Sequence, residues 1–387
     1  MMRKCAVGAC LLGLGTGVPF ACGSEGETTA GATTSAASAS SAGGSGGAEA
    51  VTATGTGGAG GVGGAGGVGG TGGAGGSGGA LTVTKCFDGV FINPPGKGPD
   101  YDQFGPVVGS HCLGTNHQLI DGVERIVFLG DSVTVGTPPT FTPDFYRAKL
   151  SDALAAKFGL TAPDLLWKSA DLFNGTSITK ESGAFASCSK WGARTDDLLP
   201  TQLPQCFPQG KLGERTLVIM TMGGNDLANL TKAAIAEKPD AELWDLTKAF
   251  VEEQRKAVEW LKTPGRFPSG VFVVFANMYE FTDGTGEVMS CDVSQLAGFD
   301  KPVPAPDKLA EMVIWANEQF LKIAVDYQVD MIFMLEAFCG HGFHADDPAA
   351  PCYRGPGRAV WFDLTCTHPN PTGHGEVSKM FEAVVGE

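Results

Sequence analysis

The sequence predicts an α/β domain: a parallel sheet of about five strands covered by helices on both faces, a three-layer α/β/α sandwich. Three observations predict it. Five short apolar runs recur between Arg125 and Leu335, and segments with helical spacing separate them. The runs are apolar throughout rather than alternating, as strands buried on both faces are. Turn residues bound them, so the chain reads as repeated strand–helix units.

The first elements come before this domain. Arg3 and Lys4 precede a short apolar run, residues 6–20, which ends at Ala21-Cys22-Gly23-Ser24. Residues 1–22 therefore read as an export signal, too short to span a bilayer permanently. A small residue followed by cysteine resembles a lipoprotein signal, in which Cys22 is lipidated and becomes the new N-terminus. Ordinary cleavage nearby is the alternative. Residues 23–80 are mostly Gly, Ala, Ser and Thr, with a GGAGGVGG-like repeat. So little apolar surface cannot offset the entropy of ordering, which predicts a flexible linker that holds the domain away from the membrane.

Residues 81–387 form the expected globular domain. After a cysteine-bearing lead-in (82–121), residues 125–129 (RIVFL) are the first strand, ending at Gly130. Residues 143–158 carry helical spacing. Residues 165–167 (LLW) are the second expected strand and 216–220 (TLVIM) the third. A helix-rich stretch covers 233–262, and 271–275 (VFVVF) is the fourth strand. Residues 307–327 are helical, 331–335 (MIFML) are the fifth strand, and 371–385 close the domain as a helix. In such sheets the site lies beyond the carboxyl ends of the strands.

The formal net charge is −15, from 42 acidic and 27 basic side chains. Such a chain repels phosphate backbones, which argues against nucleic-acid partners. Of 11 cysteines, eight remain after Cys5, Cys10 and Cys22: Cys86, Cys112, Cys188, Cys206, Cys291, Cys339, Cys352 and Cys366. An even number in an exported chain predicts disulfides. None has the CxxC spacing of a zinc site. Pairing by proximity joins 86 to 112, 188 to 206 and 339 to 352, and leaves 291 with 366. It is one of about 105 possible connectivities.

Three motifs stand where chemistry is expected. Gly130-Asp131-Ser132 follows the first strand and puts a hydroxyl at the sheet edge. Gly223-Gly224-Asn225-Asp226 follows the third, where an amide side chain can donate to a developing oxyanion. His368-Pro369-Asn370 stands before the last helix and supplies a base. Each is weak alone, since serine and Asn-Asp are common in turns. In this order they resemble the SGNH/GDSL hydrolase family over about residue 124 to the C-terminus. The resemblance implies a flavodoxin-like three-layer fold, with Ser132 as nucleophile and His368 as base. It also implies an oxyanion hole made by the amides of Ser132 and Gly192 and the side chain of Asn225. Gly192 lies in a less distinctive glycine block, Trp191-Gly192-Ala193-Arg194-Thr195-Asp196-Asp197.

The chemistry implied is ester hydrolysis through an acyl-enzyme, with no cofactor and no metal. One position departs from the family pattern. Its last block reads Asp-x-x-His, and here the first position is Thr365. Asp363, two residues earlier, shares a face with Thr365 in an extended segment, so it is the expected acid. A Ser–His dyad helped by Thr365 or a backbone carbonyl is the alternative.

His341 and His344, with Asp346 and Asp347, read as a solvated loop between Cys339 and Cys352 rather than a metal site. Trp361 and Phe362 line an acyl pocket or simply pack. The expectation is a monomeric serine esterase, lipase-like, acting on small-molecule or glycan esters. It would sit at the cell surface or outer membrane as a lipoprotein, or else be secreted, touching membrane only through its lipid anchor. A carbohydrate O-deacetylase, or a binding module with a decayed triad, would use the same sequence.

Overall fold

The computed structural model of the chain describes residues 81–93 and 98–387. The expected signal at 1–22, its anchor Cys22 and the linker at 23–80 lie outside the described residues.

A lead-in begins with α1 (Val83–Phe87) and runs antiparallel along the far edge of the sheet, bridging Gly114 to Ile332. It covers an edge that would otherwise present unpaired amides. Next come β1 (Arg125–Gly130), the short α2 (Ser132–Val135), α3 (Tyr146–Phe158) and the one-turn α4 (Leu165–Lys168). A small hairpin, β2 (Ala170–Asp171) with β3 (Thr176–Ser177), precedes β4 (Glu181–Ser182) and β5 (Phe185–Ser187). Then follow α5 (Leu203–Cys206), β6 (Thr216–Thr221), α6 (Gly224–Ile235) and α7 (Asp240–Lys262). The chain ends with β7 (Val271–Ala276), α8 (Pro306–Tyr327), β8 (Asp330–Ile332), α9 (Met334–Phe338) and α10 (Pro371–Gly386).

The main sheet has the order β4-β5-β1-β6-β7-β8. β4 is antiparallel to β5, and every other pairing is parallel. Taken by chain rank, the five parallel strands run 2-1-3-4-5, the flavodoxin-like winding with its switch point at β1. Every residue of β1 and β6 is buried, so helices must cover both faces, and they do. α3 packs on α10, and α7 packs on α8. Ile126, Val127, Phe128 and Leu129 are fully buried in β1. At about 1.5–3 kcal/mol for each such side chain, burial offsets the roughly 1–2 kcal/mol per residue lost in fixing the backbone.

Two expected strands differ. Residues 165–167 form α4, because the Asp164 carboxylate accepts the Trp167 amide at 2.8 Å and caps a helical turn. Leu165 and Leu166 are exposed and only Trp167 is buried. The neighbour of β1 is instead β5, whose sequence Phe-Ala-Ser is too short and too mixed to read as an apolar run. The fifth strand stops at Ile332, and α9 takes over at Met334, with the Leu335 amide bonded to the Asn277 side chain at 2.9 Å. Disulfides join Cys86 to Cys112, Cys188 to Cys206, Cys291 to Cys366 and Cys339 to Cys352, the proximity arrangement. Among the described residues no helix is long and apolar enough to cross a membrane.

Candidate active site

Ser132 stands at the carboxyl end of β1, where the strand breaks into α2. Gly130 makes the break with φ 138°; a Cβ there would lie 2.2 Å from the Thr221 carbonyl oxygen, so only glycine fits. The Asp131 carboxylate caps α2 by accepting the Val133 amide at 3.0 Å, and the Asp131 amide donates to Thr221 O at 3.2 Å. Gln202 bonds both the amide and the carbonyl of Gly130, each at 2.8 Å. Beneath the turn lies Arg147, fully buried, donating to the carbonyls of Thr134, Val135, Trp167 and Lys168. The serine turn is thus held from three sides.

His368 is carried by a closed loop. Phe362 and Pro369 form an antiparallel bridge. The Asp363 amide donates to His368 O at 2.9 Å and the Cys366 amide to Asp363 O at 3.1 Å. Cys366 takes a left-handed φ of 69° and is tied to Cys291. The Tyr279 hydroxyl donates to Thr367 O at 2.7 Å. Asn370 then caps α10, accepting the amides of Thr372 and Gly373 at 3.0 Å each. The loop brings His368 Nε2 to 2.8 Å from Ser132 Oγ, across 236 residues of sequence.

On the other side of the ring, His368 Nδ1 meets the Thr365 hydroxyl at 2.6 Å. That hydroxyl lies 2.6 Å from Asp363 Oδ1, which also accepts the Thr365 amide at 2.7 Å. No hydrogen bond joins the carboxylate directly to the ring among the described residues. Asp363 Oδ2 is buried without a hydrogen-bond partner.

The loop bearing Gly192 is bracketed by the Cys188–Cys206 disulfide and tied to β1 by the Lys190 amide, which donates to Gly130 O at 3.0 Å. The Trp191 indole donates to Gly136 O at 3.0 Å, on the far end of α2. Gly192 is exposed with φ 74°, and its amide makes no hydrogen bond among the described residues. Asn225 Nδ2 donates to Ala193 O at 2.9 Å. The neighbouring Asp226 carboxylate accepts the Thr195 amide at 3.0 Å and its hydroxyl at 3.2 Å. The glycine block and the Asn-Asp block are therefore clamped together beside the serine.

Burial sets the charges here. It lowers His368 to about 4, so the imidazole is neutral and able to take a proton at physiological pH. It raises Asp131 to about 7 and Asp226 to about 6. Asp363 is also raised by burial, against the two hydrogen bonds from Thr365.

The other residues singled out in the sequence have different partners. His341 stacks on Trp361 with ring centroids 3.6 Å apart and donates from Nδ1 to Ala359 O at 2.8 Å, while His344 faces Glu287 at 3.3 Å. Trp361 and Phe362 both pack on Phe338, and Phe362 also borders a cavity. Arg147, Gln202 and Tyr279 carry no sequence signal, since each looks like an ordinary helix or loop residue. Asp226 was legible, because it adjoins Asn225.

A family model described as GDSL-like Lipase/Acylhydrolase matches residues 126–381. No curated protein matches the chain. Similar solved structures include an extracellular lipase from Streptomyces rimosus, at 18% identity and TM-score 0.39, covering 68% of this chain and 100% of that one. A lipase from a goat rumen metagenome matches at 13% identity and TM-score 0.42, covering 67% and 96%. A two-domain esterase active on acetylated mannans, crystallised with mannopentaose, matches at 13% identity and TM-score 0.34, covering 67% and 48%.

Proposed function

The chain belongs to the GDSL-like lipase/acylhydrolase family, and from that premise we propose that residues 81–387 are a serine ester hydrolase with Ser132 as nucleophile and His368 as base. The observation that carries this reading is the 2.8 Å contact between His368 Nε2 and Ser132 Oγ at the end of a buried strand. His368 takes the hydroxyl proton as Ser132 Oγ bonds to the ester carbonyl carbon. The carbonyl oxygen becomes an oxyanion facing the amides of Ser132 and Gly192 and the Asn225 side chain. The imidazolium then protonates the leaving alkoxide. A water, deprotonated by His368, attacks the acyl carbon; as the bond to Ser132 breaks, His368 returns that proton to Ser132 Oγ and the acid leaves. Asp363 is the acid that supports His368. The test is covalent labelling by a fluorophosphonate together with hydrolysis of p-nitrophenyl acetate. Ser132→Ala should abolish both while the protein stays folded. Residual turnover above about 1% of wild type would remove Ser132 from the role, because losing a triad nucleophile costs far more. The same experiment separates an enzyme from a binding module with a decayed triad.

A cavity of about 400 Å³ that reaches the site at Asp363 is the place we assign to an acyl chain longer than acetyl. It lies between the loop after α2 and the loop that carries His368; Pro139, Phe343, Val360, Phe362 and Leu364 give it apolar walls, and Thr140, Asp363 and Asn370 polar ones. An acetyl group needs far less apolar space than this, which falls in the usual range for small-molecule sites.

Four disulfides favour an oxidising compartment outside the cytosol. In the proposed arrangement residues 1–22 direct export, a lipidated Cys22 anchors the chain, and 23–80 tether the catalytic domain. Intact mass of the membrane-extracted protein tests this, and an unmodified N-terminus elsewhere than Cys22 would rule out the anchor.

A further inference from the structure

We infer that Thr365 is a positioning residue that links the Asp363 carboxylate to His368, so that the catalytic row is Asp363–Thr365–His368–Ser132. The inference rests on the ester-hydrolase reading of Ser132 and His368 and adds the means by which the base is held.

Counting protons gives the direction of each bond. A threonine hydroxyl has one proton to donate and can accept elsewhere, an ionised carboxylate only accepts, and a neutral imidazole carries one N–H. Thr365 Oγ1 lies 2.6 Å from Asp363 Oδ1 and 2.6 Å from His368 Nδ1. If the hydroxyl proton goes to Asp363, Thr365 Oγ1 must accept from Nδ1–H. The ring's single proton is then on Nδ1, and Nε2 is bare toward Ser132 Oγ. That is the tautomer a base needs. If the hydroxyl instead donates to Nδ1, the ring proton moves to Nε2 and faces Ser132, where no proton can be taken. The carboxylate selects the first arrangement, since it gains a charge-assisted bond.

When Ser132 Oγ attacks, its proton passes to Nε2 and the new positive charge spreads over the ring. Nδ1–H stays on Thr365, so no proton travels along the row. The Asp363 charge is buried and acts on the imidazolium through one hydroxyl, and burial strengthens such a field relative to bulk water. The loop explains why the carboxylate stands one step back. Asp363 Oδ1 also takes the Thr365 amide at 2.7 Å, an Asx turn that fixes the carboxylate beneath the hydroxyl. The turn is closed by the Asp363 amide on His368 O at 2.9 Å and by the Cys291–Cys366 disulfide.

The experiment is steady-state kinetics on p-nitrophenyl acetate with five variants and their thermal midpoints. Asp363→Asn and Thr365→Val should each lose about 10²–10⁴ in kcat with little change in KM, the scale of a lost triad acid. The double variant should be no slower than the worse single one, because groups that act as a unit are not additive. Thr365→Ser, which keeps the hydroxyl, should stay within about threefold of wild type. Thr365→Asp placed in the Asp363→Asn background should recover at least about tenfold in kcat, since it offers a carboxylate at the relay position. A purely structural hydroxyl would move the thermal midpoint but give neither the non-additivity nor this recovery. The relay is overturned if Thr365→Val or Asp363→Asn stays within about threefold, if the two losses multiply, or if Thr365→Ser fails to retain activity. Ser132→Ala is measured alongside: if it is inactive while the relay pattern fails, only the relay falls. If Ser132→Ala is active, the ester-hydrolase reading falls with it.

Discussion

The side-chain amide of Asn225 donates to the carbonyl oxygen of Ala193 at 2.9 Å. One of its two N–H bonds is therefore spent on the loop that carries Gly192, and the other stays available for a substrate. The same bond that aims Asn225 also fixes the loop, so two of the proposed oxyanion donors are held by one contact. Asn225→Ala should lower kcat by about 10²–10³ with the fold intact, as for other single oxyanion donors. Steady-state kinetics with circular dichroism checks it. An unchanged kcat would take Asn225 out of the site.

Much of this was readable from residues alone, and the failures have physical causes. Of the strands that read correctly, residues 125–129 and 216–220 are buried throughout and 271–275 from Val273 onward, so their composition is largely apolar. Residues 165–167 misled because an apolar run of three fits a helical turn as well as a strand, and the Asp164 cap decided it. β5 was hidden for the opposite reason: neighbours on the sheet, not its own composition, hold Phe-Ala-Ser extended. The blocks near residues 132, 225 and 368 stand out as motifs because the chemistry proposed for them depends on residue type, and the structure brings Ser132 and His368 within 2.8 Å. Thr365 bridging to Asp363 does not stand out, since it depends on the turn that Asp363 makes with its own chain. Arg147 was invisible because a buried arginine on carbonyls has no pattern in sequence.

Burial lowers His368 to about 4. A base must be unprotonated, so kcat/KM should rise with pH through that value and be flat above about pH 5. An unperturbed histidine would place the acid limb near pH 6.5. The expected profile on a neutral ester falls about tenfold per unit below pH 4. Stability is the wrong readout. The depressed His368 contributes stability that is present above its unfolded value and lost as pH falls through about 4. Asp131 and Asp226, raised to about 7 and about 6, contribute in the opposite sense and lose theirs as pH rises through those values. An acid limb between pH 6 and 7 in kcat/KM would show that desolvation does not hold His368 neutral as described.

The cavity walled by Pro139, Phe343, Val360, Phe362 and Leu364 should be read in chain-length preference. Each methylene removed from water contributes about 0.8 kcal/mol. Butyrate exceeds acetate by two, so kcat/KM for p-nitrophenyl butyrate should exceed that for acetate by roughly tenfold. Leu364 is 76% exposed at the rim, and Leu364→Asp can be made without disturbing the core. It should lower the butyrate-to-acetate ratio by several-fold. Equal rates for the two esters in the wild type, or an unmoved ratio in the variant, would show that the acyl chain lies elsewhere.

The four disulfides should separate stability from catalysis. Cys291–Cys366 closes 75 residues and ends inside the loop that carries Thr365 and His368, whereas Cys86–Cys112 closes 26 and ends in the lead-in. Chain entropy alone assigns about 3–4.5 kcal/mol to each, since the cost grows only with the logarithm of loop length. Cys86→Ser/Cys112→Ser and Cys291→Ser/Cys366→Ser should therefore lower the thermal midpoint by similar amounts. Their effects on kcat should differ. Cys366 sits at φ 69°, a conformation that a non-glycine residue keeps only when its surroundings hold it there. Without the bond to Cys291, the turn from Asp363 to His368 retains the Tyr279 hydroxyl on Thr367 O but loses its covalent anchor. The 2.6 Å contacts around Thr365 then loosen, and a displacement of about 1 Å costs on the order of a hundredfold in rate. The Cys291/Cys366 pair should thus lose about 10–100-fold in kcat at a temperature where both variants are folded, while the Cys86/Cys112 pair keeps wild-type kcat. Equal kcat in the two variants would mean that the backbone bonds of residues 363–368 hold the histidine without help from the disulfide.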